Sequence, residues 1–402
     1  MHSSLIQENP ELNQVQYLVG NKELLMGVNR IPARSVFDDQ VVGFLGALSK
    51  KLMKNPAVKG YSDVTAYAFW IRRQSLAKEQ ERFTGRKKNG RGVAFHIAPS
   101  NVAVNFAVSF TSALLAGNAC VVRVSNKEFP QVDLICEAIR AVMDELYPEM
   151  AKYLIVLRYA HDRKINDYLS SICDIRIVWG GNRTLSELRQ SPLPPRAIEM
   201  AFPDRHSIAV IDADAYLEED AEKTADLFYI DTYFTDQNAC SSPRLIVWMG
   251  KAVREARERF FAALNVKLEK DYEMAPILAV DKLNIFMEYA AVHNGARRIA
   301  ENNVLVRTEV AVLTEDLMDY KMGGGYFFEY VTDDLSDLTP VLGKSCQTIS
   351  YLGVDPEEIR AVVEKSGVRG VDRIVRLGHT MDLSFFWDGY DMIDAMSRYI
   401  SM

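Results

Sequence analysis

From residue 93 onward, short apolar runs rich in β-branched residues alternate with amphipathic segments of helical length. The predicted strands cover 93–97, 119–124, 153–158 and 175–179, and the predicted helices between them cover 104–115, 131–146 and 164–172. Alternation at this spacing is typical of βαβ units, which build a doubly wound, mostly parallel α/β sheet. Such a sheet binds ligands at the carboxyl ends of its strands, so polar residues that follow these strands are candidates for a site.

The alternation stops at Pro192-Leu193-Pro194-Pro195 and begins again with a strand predicted over 208–211. We therefore expect a domain boundary near residue 205. The second series contains a helix predicted over 218–234, a strand over 244–248, a helix over 251–268, further segments over 297–301 and 304–313, and a helix over 356–365.

Before residue 93, the pattern predicts helices over 38–53 and 64–81. The next segment, 82–92, is basic and punctuated by glycine, which is typical of a surface turn or hairpin. We interpret it as a solvated run of charge, with phosphate binding as the alternative.

The composition argues against several classes of function. A net charge of -7 gives no basic footprint for nucleic acid. The longest nearly apolar stretch, 106–117, is too short to span a bilayer, and the first residues lack the cationic lead and apolar run of a signal peptide. The cysteines are few, odd in number and widely spaced, and no pair has metal-ligand spacing, so we expect no structural metal and a reducing cytoplasm.

One cysteine lies in a polar connection between the helix predicted over 218–234 and the strand predicted over 244–248. It is Cys240, within Asp236-Gln237-Asn238-Ala239-Cys240-Ser241-Ser242-Pro243. A substrate can reach a thiol in such a loop, and a backbone N–H that follows a turn can donate to a developing oxyanion. The alternative is a buried structural thiol, the commoner state of an intracellular cysteine.

The form Asp-Gln-Asn-Ala-Cys-Ser-Ser-Pro resembles the nucleophile loop of the aldehyde dehydrogenase superfamily, and is most similar to its LuxC-type acyl-CoA reductase branch. The segments 371–378 and 386–391 are similar to the closing part of these reductases. The resemblance implies an α/β fold of the aldehyde dehydrogenase type. It implies a Rossmann-type cofactor domain over 1–205, joined by a tail at about 377–402, and an α/β catalytic domain over 206–376. The tail is expected to fold back onto the cofactor domain or to make a subunit contact.

The same resemblance gives roles to two catalytic residues. Cys240 is the nucleophile. The turn Ala98-Pro99-Ser100-Asn101 follows the strand predicted over 93–97 and resembles the superfamily's Pro-x-Asn turn. There the asparagine amide donates to the oxygen of the acyl group, and we expect this of Asn101. The alternative for Asn101 is a helix N-cap, a position that asparagine favours.

Cofactor binding is expected at two further turns. Arg123-Val124-Ser125-Asn126-Lys127 ends a predicted strand where the superfamily binds the adenosine ribose, with Arg123 at the usual lysine position and Asn126 at the usual glutamate position. A site that lacks the carboxylate but keeps the cations suits the 2′-phosphate of NADPH, so we predict NADPH as the cofactor. The alternative is that this segment is a solvated strand end. Trp179-Gly180-Gly181-Asn182 resembles the phosphate turn of the superfamily. The expected cofactor residues are Pro99, Ser100, Arg123, Ser125, Lys127, Gly180, Gly181 and Asn182.

Aldehyde-oxidising members of the superfamily use a glutamate base to activate water. Aligning the strand at 207–210 without gaps places Met200, not Glu199, at that position, and a shift of one residue reverses the face of a strand. We therefore interpret Glu199 as a charge at a strand edge. His206 is a candidate proton donor, with a structural histidine as the alternative.

Together these residues predict NADPH-dependent reduction of an acyl thioester to an aldehyde through an acyl-cysteine. The acyl donor is acyl-CoA or an acyl-carrying partner protein such as an acyl-protein synthetase, and the resemblance implies a homo-oligomer. Two alternatives stay open: an aldehyde-oxidising dehydrogenase, and a catalytically silent nucleotide-binding subunit of a complex.

Overall fold

The computed structural model describes residues 10–401. These residues fall into two compact units. The first comprises the chain up to Pro203 together with the chain from Leu383 onward, and the second comprises Asp204–Asp382. The expectation that the first few residues are not a signal peptide concerns residues 1–9, which lie outside the described part.

The first unit is built on a parallel sheet. Its strands before residue 204 are β1 (Gln16–Val19), β2 (Lys88–Gly90), β3 (Val93–Ile97), β4 (Ala119–Arg123), β5 (Leu154–Arg158), β6 (Ile175–Trp179) and β7 (Ile198–Phe202). Within residues 10–401, six of them form a sheet of order β1-β5-β4-β3-β6-β7, in which only β1 runs antiparallel to its neighbour. All residues of β3 and β6 are buried, as expected for strands covered on both faces. The chain leaves β3 toward β4 on one side and returns to β6 on the other, which makes β3 the point where the strand order reverses.

Helices flank this sheet. They are α1 (Lys22–Gly27), α2 (Asp39–Lys54), α3 (Ser62–Trp70), α4 (Arg73–Glu81), α5 (Asn105–Leu115), α6 (Pro130–Glu145), α7 (Arg163–Ile172) and α8 (Asn182–Leu188), with 3-10 turns at Pro10–Gln14, Val28–Arg30, Pro56–Gly60 and Pro148–Lys152. The single helix predicted over 64–81 was wrong, because α3 ends before Arg72. The Arg72 backbone is extended, and its guanidinium lies over the Phe69 ring and donates to the Phe69 carbonyl at 3.0 Å.

The second unit is also a mostly parallel sheet. Its strands are β8 (His206–Asp212), β9 (Pro243–Met249), β10 (Arg297–Ala300), β11 (Val306–Glu309), β12 (Tyr326–Val331), β13 (Cys346–Leu352) and β14 (Arg373–Arg376). Every residue of this unit is described, and the seven strands follow the order β10-β11-β12-β9-β8-β13-β14, with β10 antiparallel to β11. In the central strand β9, Leu245 and Val247 face one apolar cluster while Ile246 and Trp248 face another, following the two-residue period of a strand.

The helices of this unit are α9 (Ala213–Leu217), α10 (Ala221–Asp231), α11 (Val253–Asp271), α12 (Ile277–Val292) and α13 (Pro356–Ser366), with 3-10 turns at Tyr233–Thr235, Leu317–Tyr320 and Leu335–Val341. The range 218–234, predicted as one helix, contains α10 and then the start of the turn at Tyr233–Thr235, with Thr232 as a break between them. The sequence did not predict α12. Across residues 10–401, no helix combines the length and the apolar character needed to cross a membrane.

The end of the chain returns to the first unit. It contains β15 (Phe386–Trp387), β16 (Tyr390–Asp391), α14 (Met392–Ala395) and β17 (Ser397–Tyr399). β17 pairs antiparallel with β2, and the buried Lys88 amine donates to the Asp394 carboxylate at 2.6 Å. Arg82 pairs with Asp391, and Arg91 donates to the Ala395 carbonyl at 3.2 Å. The interpretation of 82–92 as a solvated run of charge was therefore wrong for Arg82, Lys88 and Arg91, whose side chains hold the tail, while Arg86 and Lys87 are exposed.

Candidate active site

Cys240 lies in the connection between the 3-10 turn at Tyr233–Thr235 and the central strand β9. Two consecutive residues of this connection, Asp236 (φ 55°) and Gln237 (φ 54°), adopt the left-handed conformation. Non-glycine residues rarely take it, and they keep it only where the surrounding structure holds them. The loop before Cys240 is therefore a tightly constrained bend.

The buried Gln237 side chain provides that constraint. Its Nε2 donates to the Pro243 carbonyl at 3.0 Å and to the Tyr326 carbonyl at 3.3 Å. Its Oε1 accepts from the backbone N–H groups of Gly325 at 2.7 Å and Tyr326 at 3.1 Å. One side chain thus joins both ends of the Cys240 loop to the start of β12.

A run of three glycines packs against this loop. Gly324 donates its N–H to the Asp236 carbonyl at 3.0 Å. At Gly325 (φ 85°), a Cβ atom would lie 2.1 Å from the Val304 carbonyl oxygen and 2.4 Å from the Tyr233 hydroxyl. A side chain there would displace the bend, because real Cβ atoms do not approach backbone that closely.

Strands β8 and β13 hold the residues around Cys240. The Ser207 hydroxyl donates to the Cys240 carbonyl at 2.8 Å and accepts from the Thr348 N–H at 3.2 Å. On the other side, the Ser241 hydroxyl contacts the Met381 sulfur at 3.4 Å. A hydrogen bond from the neighbouring strand β8 therefore holds the Cys240 backbone in place.

The thiol of Cys240 differs from the other cysteines of the chain. All five cysteines lie within the described residues, and Cys240 is half-buried while the others are buried. Burial raises the pKa of Cys136, Cys173 and Cys346 to about 12 and that of Cys120 well above its usual range. These four are inert thiols near neutral pH, because the thiolate is the nucleophilic form.

Arg244 is a residue of this site that the sequence did not single out. It stands at the start of β9, where its Nη1 donates to the Met322 carbonyl at 2.5 Å and its Nη2 donates to the Gln237 carbonyl. Burial lowers the pKa of Arg244 to about 10, and the charge of the nearby Cys240 opposes that shift. Arg244 therefore remains a cation at neutral pH, beside the candidate nucleophile.

The surroundings of His206 favour a structural histidine over a proton donor. Its side chain is buried, and Nε2 donates to the Val341 carbonyl at 3.0 Å. Burial lowers the pKa of His206 to about 4, so the imidazole is neutral at pH 7. Its ring proton is already committed to a backbone carbonyl, which leaves the ring poorly suited to donate to a substrate.

Glu199 lies in β7, the edge strand of the first sheet. Its carboxylate accepts from Arg176 Nη2 at 2.6 Å and from Arg189 Nε at 2.8 Å. The next residue, Met200, is buried in the core of the first unit. Two guanidinium groups already occupy this carboxylate, which favours the interpretation of Glu199 as an edge charge.

Asn101 lies in the first unit, exposed in the loop between β3 and α5, after Pro99 and Ser100. The N-cap of α5 is Val104, so Asn101 does not occupy the capping position. The alternative that Asn101 caps this helix was therefore wrong. Cys240 belongs to the second unit.

The other expected cofactor residues lie at the ends of β4 and β6, which flank β3 in the sheet; Arg123 is the last residue of β4. The Arg123 guanidinium lies 4.9 Å from the Tyr159 ring centre, and its Nε is buried without a hydrogen-bond partner in the described residues. The Ser125 hydroxyl accepts from the Lys127 N–H at 3.1 Å.

The glycine turn follows β6. Gly181 is the N-cap of α8, which begins at Asn182. A Cβ at Gly180 would lie 3.0 Å from the Thr184 side chain, so the turn is closed too tightly for a larger residue without local movement. Within residues 10–401, no group of histidine, cysteine and acidic side chains is placed to hold a metal ion.

Comparison with protein families shows to which family the chain belongs. The family model described as acyl-CoA reductase (LuxC) matches residues 72–399. The chain belongs to the LuxC family. The resemblance inferred from the Cys240 loop is thereby confirmed.

Curated relatives in the LuxC family are distant and longer. This chain is 24% identical over 325 residues to the long-chain acyl-protein thioester reductase of Photorhabdus laumondii subsp. laumondii, covering 77% of this chain and 64% of the relative. It is 22% identical over 314 residues to the protein of that name from Aliivibrio fischeri, covering 74% of this chain and 62% of the relative. The chain thus spans a little under two thirds of the length of these relatives.

Solved structures show the fold of this LuxC-family chain. An NAD-dependent aldehyde dehydrogenase from Sinorhizobium meliloti matches with a TM-score of 0.64 at 13% identity, covering 93% of this chain and 83% of that protein. An indole-3-acetaldehyde dehydrogenase solved with NAD+ matches with a TM-score of 0.66 at 13% identity, covering 99% and 88%. The predicted α/β fold of the aldehyde dehydrogenase type is confirmed.

Proposed function

We propose that this protein reduces the acyl group of a thioester to an aldehyde through an acyl intermediate on Cys240, with NADPH as the reductant. The observation that carries the proposal is the Cys240 loop. In a chain of the LuxC family, it holds the one half-buried thiol among five cysteines, in a bend fixed by Gln237 and beside the cation of Arg244.

In the first half-reaction, the Cys240 thiolate attacks the acyl carbonyl carbon and forms a new C–S bond. The C–S bond of the donor then breaks, and the donor thiol leaves with a proton. In this proposal, the Asn101 amide and the Cys240 backbone N–H donate to the oxyanion that develops on the carbonyl oxygen.

In the second half-reaction, the acyl group on Cys240 becomes a thiohemiacetal, which collapses to release the aldehyde and return the Cys240 thiolate. The bound cofactor supplies a hydride. The loop's part is to hold the acyl-cysteine in place between the two half-reactions, and the left-handed bend held by Gln237 suits that task.

The residues expected to hold NADPH fit such a group. Arg123 is the last residue of β4, and the other expected residues follow β3, β4 or β6: Pro99, Ser100, Ser125, Lys127, Gly180, Gly181 and Asn182. These three strands are neighbours that run in the same direction. Their carboxyl ends therefore share one edge of the sheet, where the strand order reverses and where dinucleotides bind in such folds. The unpartnered buried Nε of Arg123 and the absence of a carboxylate between Arg123 and Lys127 suit an anionic 2′-phosphate.

We expect a preference for NADPH over NADH that depends on Arg123. Replacing Arg123 by alanine should weaken NADPH binding about tenfold to a hundredfold, because a hydrogen bond to a charged group contributes roughly 1.5–3 kcal/mol. NADH binding should change little. Fluorescence titration of both reduced cofactors into both proteins measures this.

Lys51→Ala is the matched control, since it also removes one positive charge from the first unit. Lys51 pairs with Glu145 at the end of α6, away from the carboxyl ends of the strands. Equal affinity of the wild-type protein for NADPH and NADH would contradict the predicted preference.

The acyl donor in this proposal is acyl-CoA or a protein that carries an acyl group as a thioester. Relatives named long-chain acyl-protein thioester reductase favour a protein donor, such as an acyl-protein synthetase. We further propose a homo-oligomer, as the family resemblance implies. Few, widely spaced cysteines suit the reducing conditions of a cytoplasm.

The function is tested by following the acyl-enzyme by intact mass after acyl-CoA is added. Without cofactor, acylated Cys240 should accumulate and hydrolyse slowly, because two arginines already bind Glu199 and leave it unsuited to activate water; a general base typically contributes about a hundredfold to ten-thousandfold. Adding NADPH should release aldehyde promptly. A protein that acquires the acyl mass neither from acyl-CoA nor from an acyl-carrying protein would be the catalytically silent nucleotide-binding subunit instead.

Glu199→Gln separates the reductase from an aldehyde-oxidising enzyme. Because two arginines already bind Glu199, we expect this variant to hydrolyse its acyl group at the wild-type rate. Rapid hydrolysis in the wild-type protein that disappears in Glu199→Gln would identify Glu199 as a working base and contradict our interpretation.

A further inference from the structure

The guanidinium of Arg244 lies against the loop that carries Cys240. It donates to the carbonyl of Gln237, three residues before Cys240, and to the carbonyl of Met322 in the segment that packs on the loop. A Cβ at Gly323 would lie 3.6 Å from Arg244 Nη1 and 2.8 Å from the Asp236 carbonyl oxygen. The glycine therefore allows the two segments and the guanidinium to pack closely.

Both hydrogen-bond partners of Arg244 are neutral carbonyl groups. Within the described residues, no carboxylate forms an ion pair with Arg244, although other partly buried arginines have one: Arg176 pairs with Glu199, and Arg205 with Asp372. Removing a cation from water costs free energy unless an anion or a hydrogen-bond network compensates it. Cys240 follows Gln237 by three residues in the loop that Arg244 holds, and a thiolate there would oppose the burial that lowers the pKa of Arg244.

We propose that Arg244 is the counter-charge of the Cys240 thiolate. It is a positioning residue: it holds the loop through the Gln237 carbonyl and favours loss of the thiol proton to solvent before the nucleophile meets its acyl donor. The inference rests on the proposed function only in taking Cys240 as the nucleophile.

The other charged groups around the loop are engaged elsewhere and are not counter-charges of the Cys240 thiolate in this proposal. The Asp236 carboxylate accepts from the Tyr272 hydroxyl, and its charge also favours protonation of the buried Lys282. His206 is neutral near pH 7, and burial lowers the pKa of Lys282 to about 8 while its amine binds the Asn303 carbonyl at 2.7 Å. The Lys321 amine binds the Met318 carbonyl at 3.3 Å.

The test is the pH dependence of iodoacetamide alkylation of Cys240 in the full-length protein, read by intact mass. The other four thiols are buried and should react slowly. Replacing Arg244 by glutamine removes the charge but leaves a side chain whose amide can still donate a hydrogen bond. The midpoint of the rate profile should move up by about one pH unit, and the rate at pH 7 should fall about tenfold, because a nearby opposite charge favours the charged form.

Arg244→Lys keeps the charge and should recover most of the wild-type midpoint. Arg254→Gln is the charge-matched control, since Arg254 is exposed on α11 and pairs with Glu258. A purely structural role for Arg244 predicts that the lysine and glutamine variants are equally impaired. A folded Arg244→Gln protein with an unchanged midpoint would overturn the proposal.

The wild-type protein alone supplies a second criterion, should Arg244→Gln fail to fold. Its alkylation midpoint must lie below the ordinary cysteine value of about 8.5. A midpoint at or above that value overturns the proposal. Alkylation needs neither acyl donor nor cofactor, so an inactive protein with a low, Arg244-dependent midpoint would refute the reductase and leave this inference standing.

Discussion

Replacing Cys240 by alanine is expected to abolish both acyl labelling and aldehyde formation. The acyl-enzyme requires a sulfur atom at this position, and the remaining thiols are buried. Without the covalent intermediate, hydride transfer has no bound acyl group to act on. The measurement is incubation with radiolabelled acyl-CoA followed by gel autoradiography, with aldehyde assayed in parallel after NADPH is added.

Cys120→Ala and Cys346→Ala are the matched controls, because each removes a thiol that lies in the core of its unit. Both should label as the wild-type protein does, apart from a modest loss of stability. Undiminished labelling of Cys240→Ala would assign the nucleophile to another residue.

Replacing Gln237 by alanine is expected to lower the free energy of unfolding of the second unit by at least about 3 kcal/mol. The substitution leaves the Gly325 and Tyr326 N–H groups and the Pro243 and Tyr326 carbonyls without their partner, and each buried unsatisfied group costs about 1–3 kcal/mol. Denaturant unfolding, followed by tryptophan fluorescence, measures the loss. Acyl labelling should fall with it, because the bend before Cys240 loses its support.

Gln237→Glu tests which contacts matter. A carboxylate can still accept from the Gly325 and Tyr326 N–H groups but would face the Pro243 carbonyl without a donor. We expect this variant to be destabilised as well, more strongly at neutral than at acidic pH. Asn238→Ala, at an exposed position in the same loop, is the comparison variant and should lose less stability than Gln237→Ala. Wild-type stability in Gln237→Ala would show that the four contacts contribute little.

Much of the fold could be predicted from the sequence. The bounds of β3 and β6 were predicted to the residue, because fully buried parallel strands appear as continuous apolar runs. The loop around Cys240 was recognisable from its own residues. By contrast, α12 was missed, because it exposes Ile277, Val280 and Met287 and therefore lacks a clear polar face.

The contacts that shape the site could not be predicted, because they join distant parts of the chain. Gln237 meets Gly325 and Tyr326 some 88 and 89 residues later, and Arg244 meets Met322 after 78. Local patterning shows only a polar residue in a loop and a basic residue at the start of a strand. Lys88 is a similar case: its charge suggested solvent, but its partner Asp394 stands 306 residues away.

That distance has a consequence for biosynthesis. The first unit is interrupted by the whole of the second, so β2 meets β17 only after the ribosome has made the residues between them. At roughly 5–20 residues per second, the Lys88 amine waits on the order of 15 to 60 seconds for its carboxylate. The second unit is continuous along the chain and needs no later segment to complete its sheet. On the nascent chain, the first unit is therefore the first to begin synthesis and the last to be completed.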